Sequence, residues 1–127
     1  AVHYSGLKTD RIMDLAIDDD NNVYVLLSFY GVIDADRSAT VYNIGVANEL
    51  RTAILKYNVA GDLLMALVIE GSGSELVMDL GPQGEILVHN VYYNDTIDLN
   101  PQGGNLIYPY GAYNQYLLKL DAAGTFQ

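Results

Sequence analysis

Short apolar runs separated by turn-forming residues follow one another along this chain, and they predict β-strands. In the first half of the chain the apolar runs fall at residues 12–17, 23–30, 52–57 and 63–69. In the second half they fall at residues 76–80, 86–93 and 115–120. Clusters rich in Asp, Asn and Gly, which tolerate turn conformations, lie between many of these runs. No stretch carries a sustained apolar stripe of helical period with caps, so the pattern predicts an all-β fold.

The order of these elements repeats at a spacing of 63 residues. LKYNVAGDLL at residues 55–64 corresponds to LKLDAAGTFQ at residues 118–127. IDAD at residues 33–36 corresponds to IDLN at residues 97–100 with one residue of slippage. The correspondence keeps its order over almost the whole chain, so we expect two copies of one structural unit.

The second strand of each unit is a long apolar run, as in VYVLLSFY at residues 23–30. A strand without apolar and polar alternation needs cover on both faces of its sheet. Small antiparallel sheets stacked face to face provide this cover, and stacked units of about this length are typical of a β-propeller. We therefore predict an all-β β-propeller segment with two four-stranded antiparallel blades, part of a larger or oligomer-completed propeller. The alternative is a β-sandwich of two related halves.

The predicted boundaries divide the chain into three parts. Residues 7–70 form blade one, and residues 71–127 form blade two without its last strand. Residues 1–6 (AVHYSG) resemble MALVIEG at residues 65–71 and are expected to form the last strand of a preceding or closing blade. Two blades cannot close a ring, so the expected partners are other blades of the same chain or identical copies.

Charge and composition narrow the classes of partner. The formal net charge of −10, from 16 acidic and 6 basic side chains, argues against nucleic acid, whose phosphates such a surface repels. No apolar run reaches the roughly 18 residues of a transmembrane helix, so membrane insertion is not expected. The chain contains no Cys, which excludes disulfides and thiolate metal ligands.

Catalytic chemistry has no visible basis in the sequence. No nucleophile–base motif of known spacing is present, and His3 and His89 lie in strand-forming stretches without companion ligands. The sequence therefore predicts a protein that is not an enzyme and that has no catalytic residues and no cofactor, apart from the calcium alternative that follows.

Oxygen-bearing side chains recur at one position of the repeat and are the candidate metal ligands. Asp34 and Asp36 in the first unit correspond to Asp98 and Asn100 in the second. Clustered carboxylate and amide oxygens suit Ca²⁺, whereas a recurrent structural turn explains the same residues without a metal. The Asp run at residues 18–20 lacks the glycine and glutamate of an EF-hand loop and indicates a solvated turn.

The links between the second and third strands, at about residues 31–51 and 94–114, are predicted to be long loops, which often carry binding residues. Tyr residues cluster in and just before the second link, and they are the candidate ligand-binding residues: Tyr92, Tyr93, Tyr108, Tyr110 and Tyr113. Their flat rings and hydroxyl groups suit a glycan or a protein surface. The alternative interpretation is that these rings pack against the neighbouring blade and hold the loop in place.

The stretches DLAIDDDNNVYVLLSFYGVIDAD and RTAILKYNVAGDLLMALVIEG resemble the repeats of the SBBP family of β-propellers. The most similar repeats are those of large secreted Bacteroidota proteins that carry type IX secretion sorting domains. The matching positions are residues 16–18, 22–25, 31, 33–36, 54–58 and 61–63. The Trp that is common in the last strand of these repeats is absent, and Met65 lies at or near its place.

The resemblance implies a non-catalytic scaffold or protein-interaction module of a secreted or cell-surface protein. It places the chain outside the cell or on the outer surface of a Gram-negative bacterium, with a surface protein or a glycan as the partner. The alternative function is a glycan-binding, lectin-like propeller that uses the Tyr-rich loop of the second blade.

Overall fold

A computed structural model describes the protein at residues 10–36, 38, 40–69, 75–92, 97–100, 103, 107–108 and 114–127. In these ranges the chain forms nine β-strands and no helix, as the apolar pattern predicts. The strands are β1 (Arg11–Ile17), β2 (Val23–Asp34), β3 (Asn43–Tyr57), β4 (Leu63–Ile69), β5 (Val77–Leu80), β6 (Ile86–Tyr92), β7 (Ile97–Asp98), β8 (Ile107–Tyr108) and β9 (Asn114–Leu120). The strand predicted at residues 1–6, and His3 with it, lie outside the described residues.

Four tight turns in the two sheets share one geometry. In each, the first of five turn residues donates its N–H to the carbonyl of the fifth, as Asn58 does to Asp62 at 3.0 Å. The fourth residue has a positive φ, which Gly adopts freely and Asn tolerates better than most residues. The residues at this position are Asn21, Gly61, Gly84 and Gly124. The recurrent NVAG and DAAG stretches therefore encode the turn that reverses the chain after the third strand of each unit.

The first sheet consists of β1 to β4, antiparallel and in sequence order. The predicted strands are confirmed, and their ends agree to within one residue except between β2 and β3. The expectation of a long loop at residues 31–51 is wrong, because β2 and β3 continue through this region as a hairpin. The strand pairing extends as far as Asp34 opposite Asn43.

The distal half of this hairpin folds back over the sheet. Ala35 lies near the tip of the hairpin, yet its carbonyl oxygen accepts a hydrogen bond of 2.7 Å from the hydroxyl of Tyr57. Tyr57 pairs with Val23, at the opposite end of the same two strands. The reversal occurs at Gly31 and Gly45, whose φ angles of 84° and 94° bend both strands at one level.

The second sheet consists of β5, β6 and β9, also antiparallel, with β6 in the centre. The chain then turns back, so that Phe126 forms a bridge with Leu120 and the Gln127 N–H donates to the Lys119 carbonyl at 3.0 Å. The link that the sequence predicts to be a loop at residues 94–114 contains a separate two-stranded pair, β7 and β8.

The two sheets pack face to face around one continuous core. The first sheet contributes Tyr24, Leu26, Ile54, Leu67 and Ile69, and the second contributes Met78, Ile86, Val88, Leu118 and Leu120. At the edge of this interface, Asp14 Oδ2 accepts a hydrogen bond of 2.8 Å from the Met78 N–H, while Asp14 Oδ1 accepts one of 2.9 Å from the Leu15 N–H. A hydrogen bond from a backbone N–H to the Asp14 side chain therefore joins the first strands of the two sheets.

The opposite face of the first sheet has a core of its own. The sheet contributes Val25, Leu27, Phe29, Ala53 and Leu55, and the folded-back hairpin contributes Ile33, Ala35 and Ile44. The prediction that both faces of β2 are covered is therefore confirmed, but the cover on this face includes the chain's own hairpin.

The two sheets stack head to tail. Val25 pairs with Leu55 in the first sheet, and 63 residues later Val88 pairs with Leu118 in the second. The first pair lies on the hairpin side of its sheet, whereas the second pair faces the neighbouring sheet. Equivalent residues thus point in the same direction along the stack, and the sheets meet through non-equivalent faces.

Candidate functional site

A cavity of about 430 Å³ lies where turns of the two sheets meet at one edge of the stack. Its walls come from the β1–β2 turn, from the β5–β6 turn and from Ala122 in the turn after β9. Its polar lining consists mainly of Asp18, Asp19, Asp20, Lys56 and Gln83.

Asp18 organises the β1–β2 turn beneath this cavity. Its Oδ1 accepts hydrogen bonds from the N–H groups of Asp20 at 3.1 Å and Asn22 at 2.9 Å. Its Oδ2 accepts from the side-chain amide of Asn22 at 2.9 Å and lies 3.1 Å from the Lys56 ammonium. Desolvation acts to raise the pKa of Asp18, but the Asn22 hydrogen bonds and Lys56 outweigh it and lower the pKa to about 2.

Lys56 joins β3 to this turn. Its ammonium lies 4.7 Å from the centroid of the Tyr24 ring, within range of a cation–π interaction. Desolvation acts to lower the pKa of Lys56, but interactions with Tyr24 and Asp18 outweigh it and raise the pKa above its ordinary value. Lys56 and Asp18 therefore both remain charged near neutral pH, so the pair fastens a strand to a turn and is poorly suited to proton transfer.

Sequence reasoning gives Lys56 no role, although its recurrence as Lys119 is a usable signal. In the second unit Lys119 lies 3.4 Å from Glu85, which belongs to the corresponding turn. This second pair is weaker than the first because half of the Lys119 side chain is exposed to solvent. The Leu-Lys dipeptide that the two units share thus indicates an ion pair between a strand and a turn in both units.

Replacement of Asp18 with Asn is expected to reduce the dependence of stability on pH. The lowered pKa of Asp18 contributes stability that is present above its unfolded value of 3.8 and is lost as the pH falls through about 2. We expect the variant to lose about 1–2 kcal/mol of unfolding free energy at pH 7, after allowance for screening, and less at pH 2. Urea denaturation at a series of pH values measures both quantities.

Asp19→Asn is the matched control. Asp19 is the exposed neighbour of Asp18 and makes no hydrogen bond with another described residue. We expect its pH–stability profile to follow that of the unmodified protein. Equal losses in the two variants at pH 7 would show that the bonds of Asp18 do not set the effect.

The Tyr residues singled out by sequence are only partly described. Tyr92 is buried, and its ring centroid lies 6.1 Å from that of Tyr116. The Tyr116 hydroxyl accepts a hydrogen bond of 3.2 Å from the Asn90 side chain, and burial raises the pKa of Tyr116 to about 12. For Tyr92, this geometry favours the interpretation that the ring packs and holds the loop.

The other Tyr residues of this set lie largely outside the described residues. The backbone of Tyr108 pairs with Ile97, whereas the Tyr108 side chain, Tyr93, Tyr110 and Tyr113 lie outside the described residues. A small cavity of about 200 Å³ borders this region, and its lining residues are Tyr92, Leu99, Gln115, Tyr116 and Leu117.

The candidate metal ligands act as turn caps in both units. Asp34 Oδ1 accepts hydrogen bonds from the N–H groups of Asp36 at 3.1 Å and Tyr42 at 2.9 Å. In the second unit Asp98 Oδ1 accepts from the Asn100 N–H at 2.9 Å. Such turns explain the recurrence of these residues. Within the described ranges, no group of three or more His, Cys, Asp or Glu residues is placed to hold a metal ion.

No protein-family model, curated protein or solved structure matches this chain. The SBBP resemblance therefore stays a prediction. In the part of the chain that the structure describes, no helix has the length and apolarity to cross a bilayer.

Proposed function

We propose that the chain is a non-catalytic, propeller-type scaffold that serves as a protein-interaction module of a secreted or cell-surface protein. In this proposal the 63-residue units stack one after another, and their apolar faces are the surfaces through which the module binds. The observation that carries the proposal is the head-to-tail stack of two sheets with equivalent strand pairing. The secreted location rests on the resemblance of the repeat phrases alone.

The contact between the sheets supports an open stack over a closed sandwich of two related halves. When two related halves are joined by a two-fold axis, equivalent faces meet and the interface is closed. In this chain Val88 faces the shared interface, whereas its equivalent Val25 faces away from it, toward the hairpin. The folded-back hairpin covers the outer face of the first sheet, whereas the outward face of the second sheet stays exposed at Val77 and Leu117 and is available for a further unit, which a repeat scaffold requires.

An added unit is expected to stabilise the chain. Residues 65–127 attached directly after Gln127 continue the repeat in register, because residue 127 is equivalent to residue 64 at the spacing of 63. We expect the three-unit protein to unfold at a higher urea concentration and with a larger m-value, since each new sheet buries an outward apolar face. Equilibrium denaturation monitored by circular dichroism provides the measurement.

The same three-unit protein with Leu117→Lys in its middle sheet is the control. Leu117 points away from the core, so the substitution leaves the original two sheets intact and blocks the new contact. We expect the gain in urea midpoint to be lost in this variant. An unchanged midpoint in the unmodified three-unit protein, with two independent transitions, would contradict the proposal.

A second candidate function, glycan binding, is favoured by the 200 Å³ cavity beside Tyr92 and Tyr116. The aromatic rings that wall this cavity offer the flat apolar surfaces on which sugars stack. In this case a glycan array would show binding that Tyr110→Ala and Tyr113→Ala remove. Tyr42→Ala would retain it, because Tyr42 is an exposed Tyr of the first unit. An array without binding would dismiss this candidate and leave the scaffold proposal untouched.

A further inference from the structure

A buried hydroxyl group without an acceptor lies at the wall of the cavity between the turns of the two sheets. Tyr24 forms part of this wall, and its side chain is fully buried. No oxygen or nitrogen atom of the described residues accepts a hydrogen bond from the Tyr24 hydroxyl. Lys56 lies over the Tyr24 ring, but an ammonium group only donates hydrogen bonds. Buried polar groups are almost always hydrogen-bonded in folded proteins, so this hydroxyl indicates a partner that enters from the cavity.

Two carboxylates without partners border the same cavity. Asp19 and Asp20 are exposed residues of the β1–β2 turn, and neither side chain forms a hydrogen bond or an ion pair with a described residue. Asp18 differs from them, because its oxygens are occupied by the turn and by Lys56. The cavity therefore offers a hydrogen-bond donor at its buried wall and two acceptors at its exposed rim.

The charges around the cavity disfavour ionic ligands of either sign. An anionic group beside Lys56 would approach Asp18, whose Oδ2 lies 3.1 Å from the Lys56 ammonium, and like charges at such distances repel. Asp19 and Asp20 add to this repulsion. An ammonium or guanidinium group would suit the rim, but it cannot accept the proton of Tyr24. A neutral hydroxyl group both donates and accepts, so it satisfies the wall and the rim.

The size and the apolar lining of the cavity suit a sugar ring. Its volume of about 430 Å³ lies within the range of roughly 300–1,000 Å³ that is typical of small-molecule sites. Ile17, Leu80 and Pro82 contribute apolar surface to the wall. A sugar ring has hydroxyl groups around its edge and apolar C–H groups on its faces, so it can contact both kinds of surface at once.

We infer that this cavity binds a neutral monosaccharide. In this site the Tyr24 hydroxyl donates to one hydroxyl of the sugar, and other sugar hydroxyls donate to the carboxylates of Asp19 and Asp20. Turns of both sheets form the walls, so the site exists only where two units stack. The inference goes beyond the proposed scaffold function, because it gives the junction between the units a ligand. The site is separate from the cavity beside Tyr92 and Tyr116.

Nuclear magnetic resonance titration of the complete 127-residue chain tests the inference. The probes are D-glucose, D-galactose, D-mannose and N-acetyl-D-glucosamine, and their binding is followed through the backbone amide signals. We expect at least one of these sugars to shift the signals of the β1–β2 and β5–β6 turns and to saturate the shift. Acetate and butylamine are the anionic and cationic probes, and we expect neither to shift these signals to saturation.

Tyr24→Phe removes the hydroxyl alone and keeps the ring over which Lys56 lies. Because the hydroxyl has no acceptor in the described chain, we expect this variant to melt at the same temperature as the unmodified chain. Its affinity for the sugar is expected to fall about three- to tenfold, as for the loss of one hydrogen bond. Asp19→Asn replaces a carboxylate acceptor with a weaker amide oxygen and is expected to reduce the affinity by a similar factor.

Tyr42→Phe is the matched control. Tyr42 is an exposed residue of the first unit that lies outside the cavity, so the same chemical change there is expected to leave the affinity unaltered. If Tyr24→Phe melts at a lower temperature than the unmodified chain, Asp19→Asn and Asp20→Asn provide the comparison in its place.

Absence of a saturable shift with all of these sugars would overturn the inference. So would an affinity that Tyr24→Phe, or the two Asp variants in its place, leaves unchanged. Saturable binding of acetate or butylamine at these turns instead of a sugar would also overturn it. Sugar binding that Tyr110→Ala removes and Tyr24→Phe retains would overturn it in favour of the cavity beside Tyr92. The three-unit protein tests the scaffold separately, because its urea midpoint is measured without a sugar.

Discussion

Gly45→Ala is expected to lower the free energy of unfolding by about 3–5 kcal/mol, enough to unfold a marginal domain. A Cβ at this position would overlap the Gly31 carbonyl oxygen and lie 2.5 Å from a carbon of the Phe29 ring. Phe29 is fully buried beneath the folded-back hairpin, so the ring cannot move aside without opening that core. The φ of 94° adds backbone strain for any residue with a Cβ. Urea denaturation followed by circular dichroism, a signal that does not depend on tryptophan, measures the loss.

Gly31→Ala separates the cost of backbone strain from the cost of steric overlap. Gly31 has a similar φ of 84°, but a Cβ there would meet nothing within 4 Å. We expect this variant to lose about 1–2 kcal/mol, the cost of the backbone conformation alone. If the two variants lose the same amount, the close approach of the strands at Gly45 does not hold the hairpin over the sheet.

The contrast between these glycines shows why the hairpin could not be predicted from sequence. Gly31 lies between the apolar run VYVLLSFY and the polar stretch DADRS at residues 34–38, and an isolated Gly in such a place is typical of a loop. The information that keeps the strands paired is non-local: Tyr57 reaches the Ala35 carbonyl from 22 residues further along the chain. Sequence periodicity reports which residues are apolar, but not that one strand pair bends back to cover itself.

The strands that could be predicted are those with local signals at both ends. β4 begins after the NVAG turn and consists of a continuous apolar run, and its predicted and observed bounds agree. β6 begins after the GPQGE turn and is similarly well marked. In both cases the turn residue with positive φ, Gly61 or Gly84, lies where turn chemistry indicates it.

The candidate site was less accessible to prediction than the strands. The recurrence of Asp34 at Asp98 is visible in the sequence, but hydrogen bonding to nearby N–H groups explains it as well as a metal does. The ion pair of Lys56 with Asp18 depends on the distance between a turn and a strand 38 positions apart. A repeated Lys identifies a position that matters without identifying its partner.

Leu118→Ala is expected to lower the free energy of unfolding by about 3 kcal/mol. Leu118 is 1% exposed and packs in the core shared by the two sheets, where it pairs with Val88 of the central strand. Truncation of Leu118 leaves a cavity, and neighbouring side chains of both sheets would have to move to fill it. Urea denaturation followed by circular dichroism measures this loss.

Leu117→Ala is the control, because Leu117 is also a leucine of β9 and differs from Leu118 in the face of the sheet on which it lies. Leu117 points outward at the next position of β9, so we expect a change within about 0.5 kcal/mol. The sequence QYLLKL does not decide between these two leucines by hydropathy alone. The alternation set by Lys119 outward and Leu120 inward decides it. A loss at Leu117 as large as at Leu118 would mean that the outward face of the second sheet is already buried in the single chain, and the open stack would then fail.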